Sequence, residues 1–181
     1  INFEVYIFDK DDVGVSVADQ LKQRSSQVPV KVILDRLGSI GGGANPPGTP
    51  MPEDFVSPTS ICAYLKENSR VRVRPFLNPW LSSDHSKVLL VDGTHAWLGG
   101  MNLGREYRYE WHDVMVELRG PVVASLENEF RHSWAHEGPL GDLAYVAALA
   151  RGPREIPPSR PEDKWIKLRL LPTKTAWKPF S

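Results

Sequence analysis

The sequence predicts an α/β sandwich, in which a mixed β-sheet is flanked by helices. Strand-like apolar runs alternate with helical patterns through the first 75 residues, and a hairpin, one more strand and a long helix follow. Alternation of strands and helices favours parallel strand pairs, whereas a tight hairpin adds an antiparallel pair. The chain has 181 residues, of which 41% are hydrophobic and 24% are charged. These fractions are typical of a folded domain that buries a sizeable core.

The first half contains two predicted strands, residues 4–8 and 30–34, both rich in β-branched and aromatic side chains. Ser16, with Asp19 three residues later, resembles a capping box and predicts that a helix begins there. The second strand is expected to end at Asp35, where an irregular glycine-rich segment follows.

A proline-rich segment comes next. Five prolines between residues 46 and 58 predict a loop, because proline cannot donate a hydrogen bond to a helix or a sheet. At the end of this loop Ser57 and Pro58 form a favourable N-cap and first-turn pair, which predicts another helix.

Four further strands are predicted, at residues 71–74, 88–91, 96–98 and 114–118. The dipeptide Asp92-Gly93 separates the second and third of these and is typical of a hairpin turn. Pro121 then begins the clearest helical pattern in the chain. Its apolar side chains recur at helical spacing and are expected to pack into the core: Val122, Val123, Leu126, Phe130 and Trp134.

The zero net charge is the sum of two unlike parts. Residues 1–150 contain 14 Lys and Arg against 19 Asp and Glu, whereas residues 151–181 contain 8 against 3, together with six of the 16 prolines. An acidic body therefore carries a basic, proline-rich end. This end is either a solvated linker or an arm that contacts an anionic partner such as lipid headgroups.

The composition excludes several classes of protein. A single cysteine, Cys62, rules out an internal disulfide framework and a cysteine-based zinc site. No apolar run reaches the length needed to cross a bilayer. The first residue is Ile1 and not Met, so we expect that an upstream piece has been removed.

The stretch from His85 to Asn102 carries the candidate chemistry. His85 and Lys87 stand two residues apart at the start of a predicted strand, so their side chains are expected to leave the same face. The returning strand ends in Gly99-Gly100, where backbone N–H groups are expected to approach an anion closely, with Asn102 as a further donor. An imidazole, an ammonium and amide donors that converge on one point suit a phosphate group.

The pattern His85-x-Lys87-x4-Asp92-x6-Gly99-Gly100-x-Asn102 resembles the signature of the phospholipase D superfamily at every specified position. Several other segments resemble the first half of bacterial cardiolipin synthase-type proteins: residues 4–8, 30–35, 78–80, 102–104 and 120–122, with Phe130 and Trp134. The resemblance covers roughly residues 1–136. Many relatives carry Gly-Ser where this chain has Gly99-Gly100, a difference that bears on the substrate more than on the fold.

The resemblance implies phosphodiester transfer or hydrolysis on glycerophospholipids through a phosphohistidine, with neither a cofactor nor a metal. In that family one motif histidine attacks phosphorus, and a second one, from another lobe, protonates the leaving alcohol. His85 is then a nucleophile or a general acid/base. Lys87 and Asn102 bind the phosphoryl oxygens, and Asp92 supports the site. Asp113, on the strand after the motif, is the candidate that orients the histidine; its alternative role is to solvate a turn.

This mechanism needs two motif histidines, and the chain carries only one such motif. We therefore expect residues 1–138 to form one phospholipase D-like lobe, and residues 139–181 to be a basic, proline-rich linker or the start of a second lobe. The second motif then comes from the missing half of a longer chain or from the mate in a homodimer. The expected partners are a phospholipid substrate and the surface of a membrane, at the periphery of a bacterial inner membrane.

Two alternatives stay open. One is a nuclease of the same superfamily, although the acidic character of residues 1–150 disfavours binding to nucleic acid. The other is a catalytically silent lobe that serves binding or assembly, which a single motif permits.

Overall fold

A computed structural model describes residues 1–42, 47–76 and 84–137, together with six positions between 143 and 152. Six strands and five helices occur in this part of the chain: β1 (Asn2–Val5), α1 (Asp12–Ser25), β2 (Lys31–Asp35), α2 (Arg36–Gly42), α3 (Ile61–Lys66), β3 (Arg72–Phe76), β4 (Val88–Val91), β5 (His95–Gly99), α4 (Arg105–Tyr109), β6 (Met115–Arg119) and α5 (Pro121–His136). Residues 78–80 and most of the expected linker at 139–181 lie outside the described residues.

The six strands form one sheet in the order β3-β2-β1-β4-β5-β6. The pairs β1–β2 and β2–β3 are parallel, whereas β1–β4, β4–β5 and β5–β6 are antiparallel. This topology confirms the predicted mixed sheet. The parallel half comes from the strands that alternate with helices, and the antiparallel half begins with the predicted hairpin.

The central strand β2 buries both of its faces because helices pack on each side of the sheet. On β2, Val32 and Leu34 face a cluster that contains α1 and α3, whereas Ile33 faces a second cluster that contains α5. The predicted apolar stripe of α5 is confirmed, since Val123, Leu126 and Phe130 are buried there and Val122 and Trp134 pack against them. Each large apolar side chain that is fully buried stabilises the fold by about 1.5–3 kcal/mol relative to an exposed one.

The first helix begins four residues earlier than the expected start at Ser16. The carboxylate of Asp11 accepts a hydrogen bond from the backbone N–H of Gly14 at 2.8 Å and caps α1 at Asp12. Asp11 and Ser16 both satisfy the local rule for an N-cap, and Asp11, the earlier of the two, caps the helix.

The two helices that flank the proline-rich loop also differ from expectation. Helix α2 occupies the glycine-rich segment that was expected to be irregular, because the side chain of Asp35 accepts the N–H of Gly38 at 2.7 Å. Helix α3 is capped by Ser60 and not by Ser57. The hydroxyl of Ser57 instead donates to the carbonyl oxygen of Lys10 at 2.7 Å. The short helix α4 had no clear signal in the sequence.

The pairing of the strands brings several chain segments to one edge of the sheet. This upper edge is formed by the carboxyl ends of β1, β2, β3 and β5 and by the amino ends of β4 and β6. The hairpin turn between β4 and β5 lies at the opposite edge. Among the described residues, no helix has the length and apolar character required for a membrane span.

Candidate active site

The upper edge brings together most of the residues that the motif singled out. His85 and Lys87 immediately precede β4, Gly99 ends β5 and Gly100 follows it, and Asp113 precedes β6. The motif spacing brings its two ends together because an antiparallel hairpin returns the chain to the edge of the sheet from which it started.

The imidazole of His85 is exposed and lies on the ring of Tyr6. The two ring centroids are 3.8 Å apart and the ring planes are inclined by 23°. The loop that carries His85 is held from behind, since the backbone N–H of Asp84 donates to the carboxylate of Asp35 at 3.0 Å. The orientation of His85 is therefore set by an aromatic partner and by a backbone hydrogen bond next to it.

The ammonium of Lys87 is half-buried beside the same ring. Its Nζ donates to the carbonyl oxygen of His85 at 2.7 Å and lies 5.1 Å from the centroid of the Tyr6 ring. Burial lowers the pKa of Lys87, while the nearby carboxylates of Asp113 and Asp84 act in the opposite direction. The site thus combines an accessible imidazole with a partly desolvated cation.

The two glycines of the motif use their backbone N–H groups within the sheet. Gly99 donates to the carbonyl oxygen of Lys87 at 3.4 Å, and Gly100 donates to that of Val114 at 3.1 Å. This differs from the expectation that these N–H groups face an anion. A Cβ atom at Gly99 would lie 2.0 Å from the Val114 carbonyl oxygen, and one at Gly100 would lie 2.6 Å from a carboxylate oxygen of Asp113. The close approach of the chain that enters β6 therefore excludes a side chain at Gly99, whereas a side chain at Gly100 would require the Asp113 carboxylate to move.

Asn102 is buried, with 8% of its surface exposed, and connects the end of β5 to the end of β1. Its side-chain oxygen accepts the backbone N–H of Ile7 at 3.1 Å, and its side chain also forms a hydrogen bond with Tyr107. These bonds assign Asn102 a clear role in joining two segments of the upper edge. Its predicted contact with a phosphoryl oxygen stays a prediction.

Asp113 and Asp92, the two carboxylates predicted for the site, lie in different places. Asp113 is exposed, borders Gly100 and is close enough to Lys87 to favour the charged ammonium. Asp92 is exposed in the turn at the opposite edge, with a left-handed φ of 55°. Five residues of extended chain separate it from Lys87, about 16 Å at 3.3 Å per residue. The structure therefore does not bring Asp92 to His85.

A buried carboxyl group lies elsewhere on the upper edge, at Asp9. Only 7% of this residue is exposed, and its Oδ1 atom has no hydrogen-bond partner among the described residues. Burial, followed by the charges of Asp11 and Glu106, raises the pKa of Asp9 to about 7. Asp9 carries no signal of its own in the sequence, because an aspartate after a predicted strand is ordinarily a solvated turn residue.

Sequence reasoning also missed Tyr6 and the bonding role of Asp35. Tyr6 stood inside a predicted strand and Asp35 at the expected end of another, and neither residue had a motif of its own. The strand order could have indicated both residues. The carboxyl ends of β1 and β2 lie at the same edge of the sheet as the start of an antiparallel neighbour, which here carries the motif.

Comparison with known proteins places these features in a family. Residues 1–134 match the family model described as "Cardiolipin synthase, PLD-like domain". Cardiolipin synthase A of Pseudomonas fluorescens (strain SBW25) is 28% identical over 176 residues, which cover 89% of this chain and 31% of the relative. Cardiolipin synthase of Halalkalibacterium halodurans is 26% identical over 146 residues, which cover 76% of this chain and 27% of the relative. The chain thus spans about a third of the length of these relatives.

A solved structure supports the fold. NucT from Helicobacter pylori matches with a TM-score of 0.52 at 14% sequence identity, over 72% of this chain and 75% of that one. At this identity the likeness concerns the fold alone. Since the family model covers most of the chain, the protein belongs to the family of cardiolipin synthase PLD-like domains.

Proposed function

We propose that this chain supplies one half of a phospholipase D-type active site, which transfers or hydrolyses a phosphodiester of glycerophospholipids. The observation that carries the proposal is the juxtaposition of His85 and Lys87 on the Tyr6 ring at the upper edge. An exposed imidazole next to an ammonium is an arrangement that suits attack on an anionic phosphodiester.

In the proposed reaction a ring nitrogen of His85 attacks the phosphorus atom. The phosphorus–oxygen bond to the leaving alcohol breaks, and the alkoxide takes a proton from a second imidazole. Water or an acceptor alcohol then gives a proton to that second imidazole and attacks the phosphohistidine, which restores His85. In the alternative assignment His85 is the proton donor and acceptor, and the second imidazole is the nucleophile.

The other predicted residues have supporting parts in this proposal. Lys87 binds phosphoryl oxygens as a point charge, and Asp113 holds that ammonium and orients the histidine. Gly99 and Gly100 support the site by letting the chain that enters β6 lie against the end of β5, since their backbone N–H groups already donate to Lys87 and Val114. Asn102 fixes the edge next to the phosphate. The position of Asp92 supports a role in forming the β4–β5 turn.

The second imidazole is proposed to come from another lobe. The length of the relatives favours a second motif in the same full-length chain over a homodimer mate, and residues 139–181 then form the basic linker towards that lobe. A phospholipid substrate requires access to a bilayer, so we also propose that the protein works at the periphery of a bacterial inner membrane.

The test is the capture of the covalent intermediate on the gene product that carries this chain. Vesicles of phosphatidylglycerol with a labelled phosphate are mixed with the protein, and the reaction is quenched under conditions that preserve phosphohistidine. We expect a labelled adduct that His85→Ala removes, if His85 is the nucleophile. His95→Ala is the matched control, because His95 lies at the opposite edge of the same hairpin.

The outcomes separate the alternatives. An adduct that survives His85→Ala assigns the nucleophile to the other lobe, and loss of turnover in the same variant then supports the acid/base role. Cleavage of single-stranded DNA without headgroup release favours a nuclease. If the protein turns over neither substrate, the proposed function is wrong and the lobe is catalytically silent.

A further inference from the structure

Tyr6 lies where a regular sheet would not place it. The register of β1 and β4 pairs Glu4 with Val88, so a continued ladder would pair Tyr6 with Ser86. Residues that are directly opposite share a face, and neighbouring residues point to opposite faces. A continued ladder would therefore keep Tyr6 on the face away from its observed partners, the side chains of His85 and Lys87.

The ladder ends because the motif loop turns before β4 begins. The backbone N–H of Ser86 donates to the side chain of Asp84 at 2.9 Å, an Asx-type turn that interrupts extended chain. The backbone N–H of Asp84 is itself bonded to Asp35 at 3.0 Å. This turn brings the imidazole of His85 onto the Tyr6 ring at a centroid distance of 3.8 Å.

The ring is also held from the side of α2. A Cβ atom on Gly38 would lie 2.6 Å from Cε2 of Tyr6 and 2.8 Å from its carbonyl oxygen. Gly38 is fixed in turn, because its N–H donates to the carboxylate of Asp35 at 2.7 Å. The same carboxylate thus holds the surface next to Tyr6 and the loop that carries His85.

We infer that Tyr6 is a positioning residue of the active site, whose ring sets the orientation of the His85 imidazole and the location of the Lys87 ammonium. The kinetic part of this inference rests on the function proposed above. Stacking fixes the plane of the imidazole, and a cation near the ring face is attracted to it. The ring is the active element, and the phenol hydroxyl contributes no proton to the reaction.

The experiment compares Tyr6→Phe, which keeps the ring, with Tyr6→Leu, which keeps only apolar volume. Tyr64→Leu is the matched control, since Tyr64 also carries a lysine over its ring, at 3.9 Å, but lies on the helical layer. The first readout is the chemical shift of the His85 ring protons, which a stacked aromatic ring moves upfield. We expect Tyr6→Leu to move these resonances downfield, while Tyr6→Phe and Tyr64→Leu leave them in place.

The second readout is turnover of phosphatidylglycerol vesicles by the gene product. We expect Tyr6→Leu to lower kcat on the order of 10- to 100-fold with little change in KM, because misplaced reacting groups slow the chemical step. Tyr6→Phe is expected to restore kcat. Equal losses in both variants would assign the effect to the hydroxyl and overturn the inference.

Two further outcomes keep the two proposals separable. Unchanged His85 resonances in Tyr6→Leu refute the inference whether or not the protein turns over phospholipid. Shifted resonances in a protein that is inactive on every phosphodiester support the stack and count against the proposed function. If Tyr6→Leu does not fold, Gly38→Ala is the second variant: its Cβ atom would meet both the ring and the carbonyl oxygen of Tyr6, so it displaces the residue without removing the ring and must also change the His85 resonances.

Discussion

The buried carboxyl group of Asp9 makes the stability of this fold depend on pH in a defined direction. Its Oδ1 atom has no hydrogen-bond partner among the described residues, and a Cβ atom on Gly104 would lie 2.6 Å from its Oδ2 atom. Burial is the largest cause that raises its pKa, and the negative charges of Asp11 and Glu106 add to it. The folded chain therefore keeps a proton on Asp9 under conditions in which the unfolded chain has lost it.

The magnitude follows from the two pKa values of Asp9. The pKa rises from 3.8 to about 7 on folding. A difference of about three units corresponds to about 4 kcal/mol of differential stability. Because the folded-state pKa is the higher one, this contribution is fully present below about pH 4 and is lost as the pH rises to about 7. The free energy of unfolding falls across this window by up to about 1.4 kcal/mol per pH unit.

The assay is urea unfolding of the 181-residue chain and of Asp9→Asn between about pH 4 and about pH 8. Asparagine has the shape of the protonated carboxyl group and stays neutral throughout. We expect the variant to gain stability relative to the natural chain as the pH rises, by about 2–4 kcal/mol at about pH 8. Glu53→Gln, which removes an exposed charge, measures the contribution of net charge alone. A stability difference between Asp9→Asn and the unsubstituted chain that stays constant with pH would show that folding does not raise the pKa of Asp9.

Two further predictions concern the helices. Phe130→Ala is expected to lower the free energy of unfolding by about 3–5 kcal/mol, because Phe130 is 2% exposed and stacks on Trp134 in the α5 cluster. Urea unfolding measures this loss, and Phe130→Leu should lose clearly less; equal losses would contradict a packing origin. Asp11→Ala is expected to cost about 1–2 kcal/mol, since Asp11 caps α1 and also accepts the backbone N–H of Arg105. Circular dichroism during urea unfolding measures it, and Asp11→Asn, which retains one acceptor oxygen, should recover part of the loss.

Strands β2 to β6 could be predicted to within two residues from their apolar runs. Strand β1 lies at Asn2–Val5 and not at the predicted residues 4–8, because the chain leaves the β1–β4 ladder before Tyr6. The starts of the helices could not be predicted, since the choice among capping residues is made by tertiary contacts. Ser57 satisfies the local rule for an N-cap, but its hydroxyl donates to Lys10, and Ser60 caps α3. Such a contact joins segments nearly fifty residues apart, and no local pattern contains it.

The part of the site that the β4–β5 hairpin positions could be predicted from the sequence. The spacing from Lys87 to Gly99 matches two strands and a tight turn, so both ends must meet at one edge. The contact between Tyr6 and His85 was not predictable, because it depends on a break in the β1–β4 ladder. The hydrogen bond from the Gly100 N–H to Val114 was not predictable either, because it depends on where the chain that enters β6 lies.

Burial divides the polar residues of the upper edge into two groups that the motif alone does not distinguish. Asp35 and Asn102 are 2% and 8% exposed, and their side-chain oxygens accept backbone N–H groups from other segments. A buried acceptor that already has a donor loses free energy if it turns towards a ligand, so these residues are best suited to hold the edge in shape. His85 is exposed, and a group that forms a bond to a substrate needs this access. The shape of the edge and its chemistry are thus properties of different side chains, and substitutions in the two groups should separate stability from turnover.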